Sequence, residues 1–238
     1  MTEIWTKLQR AGRDLLRRDT SASERIVRLG QRLVNAGRLE PRISVRRNVV
    51  VELNTPPKEI RALRDLVVRR GGAEDIESLA TLDGTEREAV RARLTRGDRA
   101  YVGLVGDKVV CKTWFHGGPT PFDEDRDAIV SWALEPSDFW SYNGAAAADA
   151  MATGFFIKMF VAGIRDLFEG AGAKHVRGYI RDNNGPSLAL HDRLGFTRVG
   201  ILITVNLPGV KWVHWDGRGG PRQWLVRRAA SLTFPFPS

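Results

Sequence analysis

Apolar residues recur at helical spacing through the first 37 residues of this 238-residue chain. Between residues 3 and 18 they form one stripe, and basic residues fill the remaining surface. Thr20-Ser-Ala-Ser-Glu then supplies capping residues for a second stripe that ends at Gly37. This pattern is typical of amphipathic helices, so we predict a basic helical hairpin. The stripe residues are Ile4, Trp5, Leu8, Ala11, Leu15, Leu16, Ile26, Leu29, Leu33 and Val34.

A run rich in β-branched residues over 43–53 predicts strand structure, either continuous or as a hairpin that turns near Arg47-Asn48. Asn54-Thr-Pro-Pro follows it and indicates a linker. We therefore predict three units: a basic extension over 1–61, a main domain over 62–216 and a basic tail over 217–238.

Strand and helix patterns alternate through the main domain, which predicts an α/β fold with a mixed central sheet. A short strand at 66–70 precedes a turn and a helix, and a hairpin with a Gly-Asp turn follows over 100–115. Two strand candidates at 127–133 and 139–145 come next, before a helix over about 153–168. The remaining predicted elements are a strand at 176–180, a helix at 186–194 and two final strands at 196–206 and 210–215.

The most informative segment runs from Gly172 to Phe196. It reads as a strand, a sharp polar turn at Asn183-Asn-Gly-Pro, a short amphipathic helix and a Leu-Gly-Phe stop. This order resembles the strand, N-x-x-A/S, helix, Y-x-x-x-G-F signature of the GNAT superfamily of N-acetyltransferases. His191 stands where that family has Tyr. The resemblance covers about residues 62–216 and implies the GNAT fold, whose strands splay apart beside the long central helix.

The resemblance implies that coenzyme A binds at the start of the long helix, where backbone N–H groups and the helix dipole favour a pyrophosphate. The family motif there is Q/R-x-x-G-x-G/A, and the corresponding stretch is Ala148-Asp-Ala-Met-Ala-Thr-Gly-Phe-Phe. Neither alignment of this stretch restores the basic first residue. The expected contacts are the backbone amides of Ala152, Thr153, Gly154 and Phe155. The alternative is a buried helix start that binds no phosphate.

The same resemblance assigns roles near the second helix. Asn184 lies where the family Asn reaches the pantetheine arm, and Ser187 either caps the helix or reaches a phosphate or pantetheine group. His191 replaces the Tyr that protonates the departing thiolate. An imidazole, with a pKa near 6.5, can donate as a cation or as a neutral N–H. For the general base, Tyr142 or Asn143 in the splayed cleft is a candidate. Asn-Asn-Gly-Pro as a simple turn, and His191 as a residue without a chemical role, remain alternatives.

The charge is unevenly distributed. Residues 1–70 carry a surplus of 9 positive charges, 71–216 a net charge of −4, and the tail four Arg and no acid. Asymmetry of this kind bears on partners. The basic helices could pack on the body, dock an acidic acyl carrier protein, or lie on an anionic membrane as a peripheral contact. Nothing in their pattern supports nucleic-acid binding, and a homodimer stays open.

Other features set bounds on the chain. The first residues lack the apolar segment of a secretory signal, and the apolar stretch at 155–164 is shorter than the roughly 20 residues of a membrane span. We therefore expect a cytoplasmic protein. Cys111 is the only cysteine, and the four His are scattered, so no metal site is predicted.

These features together predict an N-acyltransferase that moves an acetyl or longer acyl group from acetyl-CoA or another acyl-CoA to a primary amine, on a small molecule or a peptide. Two alternatives stay open. One is an N-acyltransferase that takes its acyl group from an acyl carrier protein. The other is a GNAT-like binding module without activity.

Overall fold

The computed structural model describes residues 44–61, 65–118, 130–150, 153–207, 210–220, 222–227 and 232–235. The predicted basic helical hairpin and Ala152 lie outside these residues. The strands are β1 (Ser44–Leu53), β2 (Leu66–Gly71), β3 (Arg99–Val105), β4 (Lys108–Gly117), β5 (Val130–Ala133), β6 (Asp138–Ala146), β7 (His175–Arg181), β8 (Thr197–Leu207), β9 (Val210–Gly217), β10 (Arg222–Arg227) and β11 (Leu232–Pro235). The helices are α1 (Ile76–Thr81), α2 (Arg87–Thr95), α3 (Phe155–Gly170) and α4 (Gly185–Arg193), and a 3₁₀ turn, Ala73–Asp75, precedes α1.

Nine strands form one mixed sheet in the order β10-β9-β8-β1-β7-β6-β4-β3-β2. Strands β6 and β7 are parallel, and their neighbours in the sheet pair antiparallel. The predicted mixed α/β sheet is confirmed. A parallel pair needs a crossover connection, and α3 supplies it.

Strand β1 lies inside the sheet, although the sequence placed it in the N-terminal extension. It pairs with β7 on one side and β8 on the other. The hairpin considered near Arg47-Asn48 does not form, and the segment is one continuous strand. Val50 and Val51 are almost fully buried, on opposite faces. A strand with apolar residues on both faces is stable only with neighbours and cover on both sides, so this segment belongs to the main sheet.

The C-terminal tail also contributes strands. Strand β10 pairs with β9 at the sheet edge, and β11 pairs with β5 in a separate parallel ribbon.

The sheet has two covered faces. Helices α1 and α2 cover the front face, whose core includes Trp114, Trp140 and Trp215. Helices α3 and α4 cover the back face around Phe115 and Phe160. Trp114, Trp140 and Trp215 are at most 4% exposed, so these three residues serve the core.

Candidate functional site

The central feature of the site is a fork between β6 and β7. The two strands pair over three positions, from Asp138↔His175 to Trp140↔Arg177, and then separate. Beyond Trp140, the edge of β6 that faces β7 has no strand partner among the described residues. At the point of separation Gly178 permits a close approach, because a Cβ there would lie 3.1 Å from the backbone oxygen of Ser141. The splayed strands that the GNAT resemblance implies are therefore present, as β6 and β7.

A buried ion network closes the base of the fork. Arg177 donates from Nε to Glu52 Oε2 at 2.7 Å and from Nη1 to Asp138 Oδ2. Arg218 approaches the other oxygen of Glu52 at 2.9 Å. Burial alone would raise the pKa of Glu52, but the hydrogen bonds and charges of the two arginines hold that pKa below its ordinary value. The network ties β1, β6 and β7 together where the last two still pair.

Above the base of the fork, β6 contains a bulge. The pairing of β4 with β6 shifts by one residue between Lys112 and Trp114, so Thr113 faces both Asn143 and Gly144. Asn143 adopts a left-handed backbone with φ +49°, a conformation that Asn tolerates better than most residues. The sequence signal was the Asn-Gly pair inside a predicted strand, which is typical of a bulge. A bulge bends its strand locally, and this one lies in the part of β6 that no longer pairs with β7.

The long helix α3 begins beside this bulge. Gly154 is its N-cap residue, with φ +78°. Thr153 Oγ1 donates to the backbone oxygen of Ala150 at 2.6 Å and accepts the N–H of Phe155 at 3.3 Å. The Phe155 amide predicted to hold phosphate thus has a weak internal partner.

The loop before α3 lacks a basic residue of its own, as the sequence indicated. A cation nevertheless lies beside it, because Lys108 on β4 approaches Asp149 at 3.9 Å. Both side chains are exposed, so this pair is weak.

A row of aromatic rings runs from the bulge to α4 along the back face. A Cβ at Gly144 would lie 2.8 Å from Phe156, and the Phe156 ring stacks on Phe160 at 5.8 Å. The ring of His191 then packs 5.4 Å from Phe160 and 4.8 Å from Phe196, between centroids. Phe156 therefore turns inward and forms part of the wall of the fork.

The hydrogen bond of His191 decides its tautomer. Nδ1 lies 2.8 Å from the backbone oxygen of Ser187. A carbonyl only accepts, so Nδ1 carries the proton and Nε2 of the neutral ring is an acceptor. Burial lowers the pKa of His191, and the Ser187 carbonyl and the charge of Asp192 oppose that effect only in part. Of the two donor forms considered from sequence, only the imidazolium can donate from Nε2.

The two predicted pantetheine contacts lie at the entry of α4. Asn184 is exposed and caps the helix, its Oδ1 accepting the N–H of Ser187 at 3.2 Å. This fixes the amide so that Nδ2 faces away from the helix, and it donates to no atom among the described residues. The Ser187 side chain is half-buried.

Tyr142 is buried on the front face, in a network that sequence reasoning missed. Its hydroxyl donates to Asp98 Oδ2 at 2.5 Å, and Asp98 also binds His116 Nδ1 at 2.6 Å and Arg96 at 2.5 Å. Burial and the Asp98 carboxylate both raise the pKa of Tyr142 far above its ordinary value. The phenol therefore stays protonated, and the expectation that it acts as a general base is corrected.

The described residues also bear on metal binding and on membrane crossing. Among the described residues no group of His, Cys, Asp and Glu is arranged to hold a metal ion. Within the same ranges no helix is long and apolar enough to cross a membrane.

Comparison with known proteins identifies the fold. No family model matches this chain, and no curated protein does. A GCN5-related N-acetyltransferase from Kribbella flavida superposes with a TM-score of 0.51 over 74% of this chain, at 11% identity. A Drosophila protein of known structure superposes with a TM-score of 0.52 over 79% of this chain, at 16% identity. The matches span 64% and 58% of those two chains, respectively. The predicted GNAT fold is thereby confirmed.

Proposed function

We propose that this GNAT-fold protein is an N-acyltransferase that moves an acetyl or longer acyl group from a coenzyme A thioester to a primary amine. The observation that supports this most directly is the open fork between β6 and β7, which lies beside the start of α3. An unpaired strand edge offers backbone groups that can bind an extended, amide-containing chain such as pantetheine.

The donor would lie along this fork. The described part of the α3 entry, Thr153 to Phe155, together with Ala152, would face the pyrophosphate through backbone amides and the positive end of the helix dipole. Lys108 would supply the cation that the loop lacks. The free Nδ2 of Asn184 would donate to a pantetheine carbonyl, with Ser187 beside it.

The bulge at Asn143 and Gly144 would polarise the thioester. A backbone N–H fixed by the strand needs no reorganisation as negative charge develops on the carbonyl oxygen, which is why such donors stabilise a tetrahedral adduct effectively. The amine nitrogen bonds to the carbonyl carbon, and the carbon–sulfur bond then breaks.

Proton transfer would pass through His191. At neutral pH its Nε2 can take the proton that the attacking nitrogen must lose, and the imidazolium so formed can give that proton to the departing sulfur. For an acceptor that binds as the neutral amine, one residue would then serve as acceptor and donor in turn. An acceptor that arrives as the ammonium ion first releases one proton to solvent. The geometry supports this because Nδ1–H is held by the Ser187 carbonyl and keeps the ring in one orientation.

Two other functions remain proposals of lower rank. The absence of a basic residue in the loop entering α3 favours a donor without the adenosine diphosphate moiety, such as an acyl carrier protein. The inward position of Phe156 beside Gly144 would also suit a binding module in which the fork is partly filled.

Isothermal titration with coenzyme A, acetyl-CoA and a long-chain acyl-CoA distinguishes these functions, with pantetheine as the control. Micromolar binding of any coenzyme A species, much tighter than that of pantetheine, is expected if the α3 entry holds the pyrophosphate. The acyl-CoA that binds is then incubated with amines, and the release of free thiol is measured. Equal binding of pantetheine and acetyl-CoA would favour a carrier protein as donor, and no binding at millimolar ligand would refute the coenzyme A proposal.

A further inference from the structure

Arg93, at the end of α2, lies over the bulge on the front face of the fork. Its guanidinium carbon is 5.5 Å from the ring centroid of Trp114 and 5.2 Å from that of Tyr142. Nη1 donates to Asn143 Oδ1 at 3.0 Å. Two aromatic faces and one amide therefore hold the cation in place, half-buried, next to the backbone proposed to polarise the acyl carbonyl.

Three arginines near Arg93 in sequence have a carboxylate partner. Arg87 pairs with Glu77 at 2.5 Å, Arg91 with Glu88 at 3.0 Å, and Arg96 with Asp98 at 2.5 Å. Within the part of the chain that the structure describes, Arg93 has no carboxylate within 4 Å. One of its five N–H donors binds Asn143, so donors remain for a planar anion.

The electrostatic surroundings of Arg93 also favour an anion. Lys112 is fully buried on the same face; burial lowers the pKa of that lysine, and the charge of Arg93 lowers it further. Two acids of this region are already engaged, Asp83 with Lys112 and Asp98 with Arg96 and His116. A half-buried cation without a counter-ion, beside a second cation, is an unfavourable arrangement that a bound carboxylate would relieve.

We propose that Arg93 is the residue that recognises the acceptor, and that the acceptor is an amino acid whose carboxylate binds the Arg93 guanidinium while its amine reaches the thioester. This rests on the proposed acyltransfer reaction. A carboxylate two bonds from the amine fits the short distance between Arg93 and the bulge, since the guanidinium directly contacts the Asn143 side chain. The preference would come from a charge-assisted, two-point hydrogen bond, which a neutral amide cannot replace.

The test compares the common L-amino acids with the corresponding L-amino acid amides as acceptors of the acyl group from acetyl-CoA. Acylated products are detected by mass spectrometry, and kcat and KM are measured for the best acid and its own amide. We expect kcat/KM for the acid to exceed that for the amide by about 10- to 100-fold, the range of hydrogen bonds to charged groups. In Arg93→Gln this ratio should fall to near one, mainly because KM for the acid rises.

Arg91→Gln is the matched control, because Arg91 lies on the same helix and forms an exposed pair with Glu88. It should leave the ratio unchanged. A wild-type ratio near one would refute the proposal. So would an equal loss of kcat with acid and amide in Arg93→Gln, because Arg93 would then only hold the bulge in shape.

A binding measurement separates this inference from the proposed reaction. If neither the amino acids nor their amides are acylated, saturation-transfer NMR with the same compounds still reports whether Arg93 binds a carboxylate. Signals for the acids alone that disappear in Arg93→Gln would support the site and remove the acyltransferase proposal. No signal from the amino acids, or equal signals from the amino acids and the amides, would refute carboxylate binding at Arg93.

Discussion

Removing Arg177 tests the ion network at the base of the fork. The side chain of Arg177 is 6% exposed, and those of Glu52 and Asp138 are 4% and 2% exposed. Arg177→Met therefore leaves two buried carboxylates without their shared cation. Breaking a buried pair in this way typically costs about 3–5 kcal/mol of the free energy of unfolding. For a chain of this size that corresponds to a melting temperature lowered by roughly 6–20 °C.

The comparison variant is Arg218→Met, since the Arg218 side chain binds the same Glu52 but is 41% exposed. Its loss should cost at most about 1 kcal/mol, as for other solvent-screened pairs. Equilibrium unfolding in urea, followed by tryptophan fluorescence, measures both variants. The triple variant Arg177→Met, Glu52→Gln, Asp138→Asn should recover much of the loss, because it removes the unpaired charges themselves.

The pH dependence of this loss has a definite sign. The native pKa of Glu52 is lowered from 4.5, so its ion pairs contribute stability above that value, and this stability is lost as pH falls through the lower, native pKa. In Arg177→Met the pKa of the Glu52 carboxyl rises instead. The difference in free energy of unfolding between wild type and Arg177→Met should therefore become smaller below about pH 5. Similar unfolding midpoints for Arg177→Met and Arg218→Met at pH 7.5 would refute this account of the network.

Three further predictions concern single features of the structure. His191→Phe should lower kcat by about 100- to 10,000-fold with little change in acetyl-CoA affinity. The wild-type rate should stay level as pH falls through 6.5 and decline only below it, because burial lowers the pKa of His191. An unchanged kcat in the variant would exclude His191 from proton transfer. Lys112→Met should lower the free energy of unfolding measured in urea, because it leaves Asp83 without its buried cation. The double variant Lys112→Met, Asp83→Asn should be neutral or stabilising by about 1–4 kcal/mol. Burial lowers the pKa of Lys112, and its only charge partner within 4 Å among the described residues is then neutralised. Gly178→Val should weaken acetyl-CoA binding in the titration, because even a Cβ at this position would lie 3.1 Å from the opposing strand. Gly185→Ala should leave the affinity unchanged, because a Cβ there would meet no atom within 4 Å. Equal affinities of the two variants would show that the fork tolerates a wider base.

Local sequence patterns determined the element order of the main domain. Apolar alternation and glycine-containing turns located the hairpin of β3 and β4, and the helical stripe located α3, observed at Phe155–Gly170. The motif from Asn184 to Phe196 identified the fold, because a turn, a short helix and a stop at fixed spacing depend mainly on neighbouring residues. The same locality made the Asn143-Gly144 bulge readable in principle, since Asn-Gly inside a strand is a recognisable signal.

Contacts between distant residues decided the rest. The periodicity of β1 identifies a strand but cannot specify its partners, and only the folded sheet places it between β7 and β8. Tyr142 was a candidate base until the fold brought it to Asp98, 44 positions earlier, which raised its pKa. Arg93 carried no motif, and its position 50 residues from Asn143 becomes close only through packing. Propensity and capping act over a few residues, whereas burial, ion pairing and pKa depend on which surfaces meet, and a single sequence does not contain that information in its local pattern.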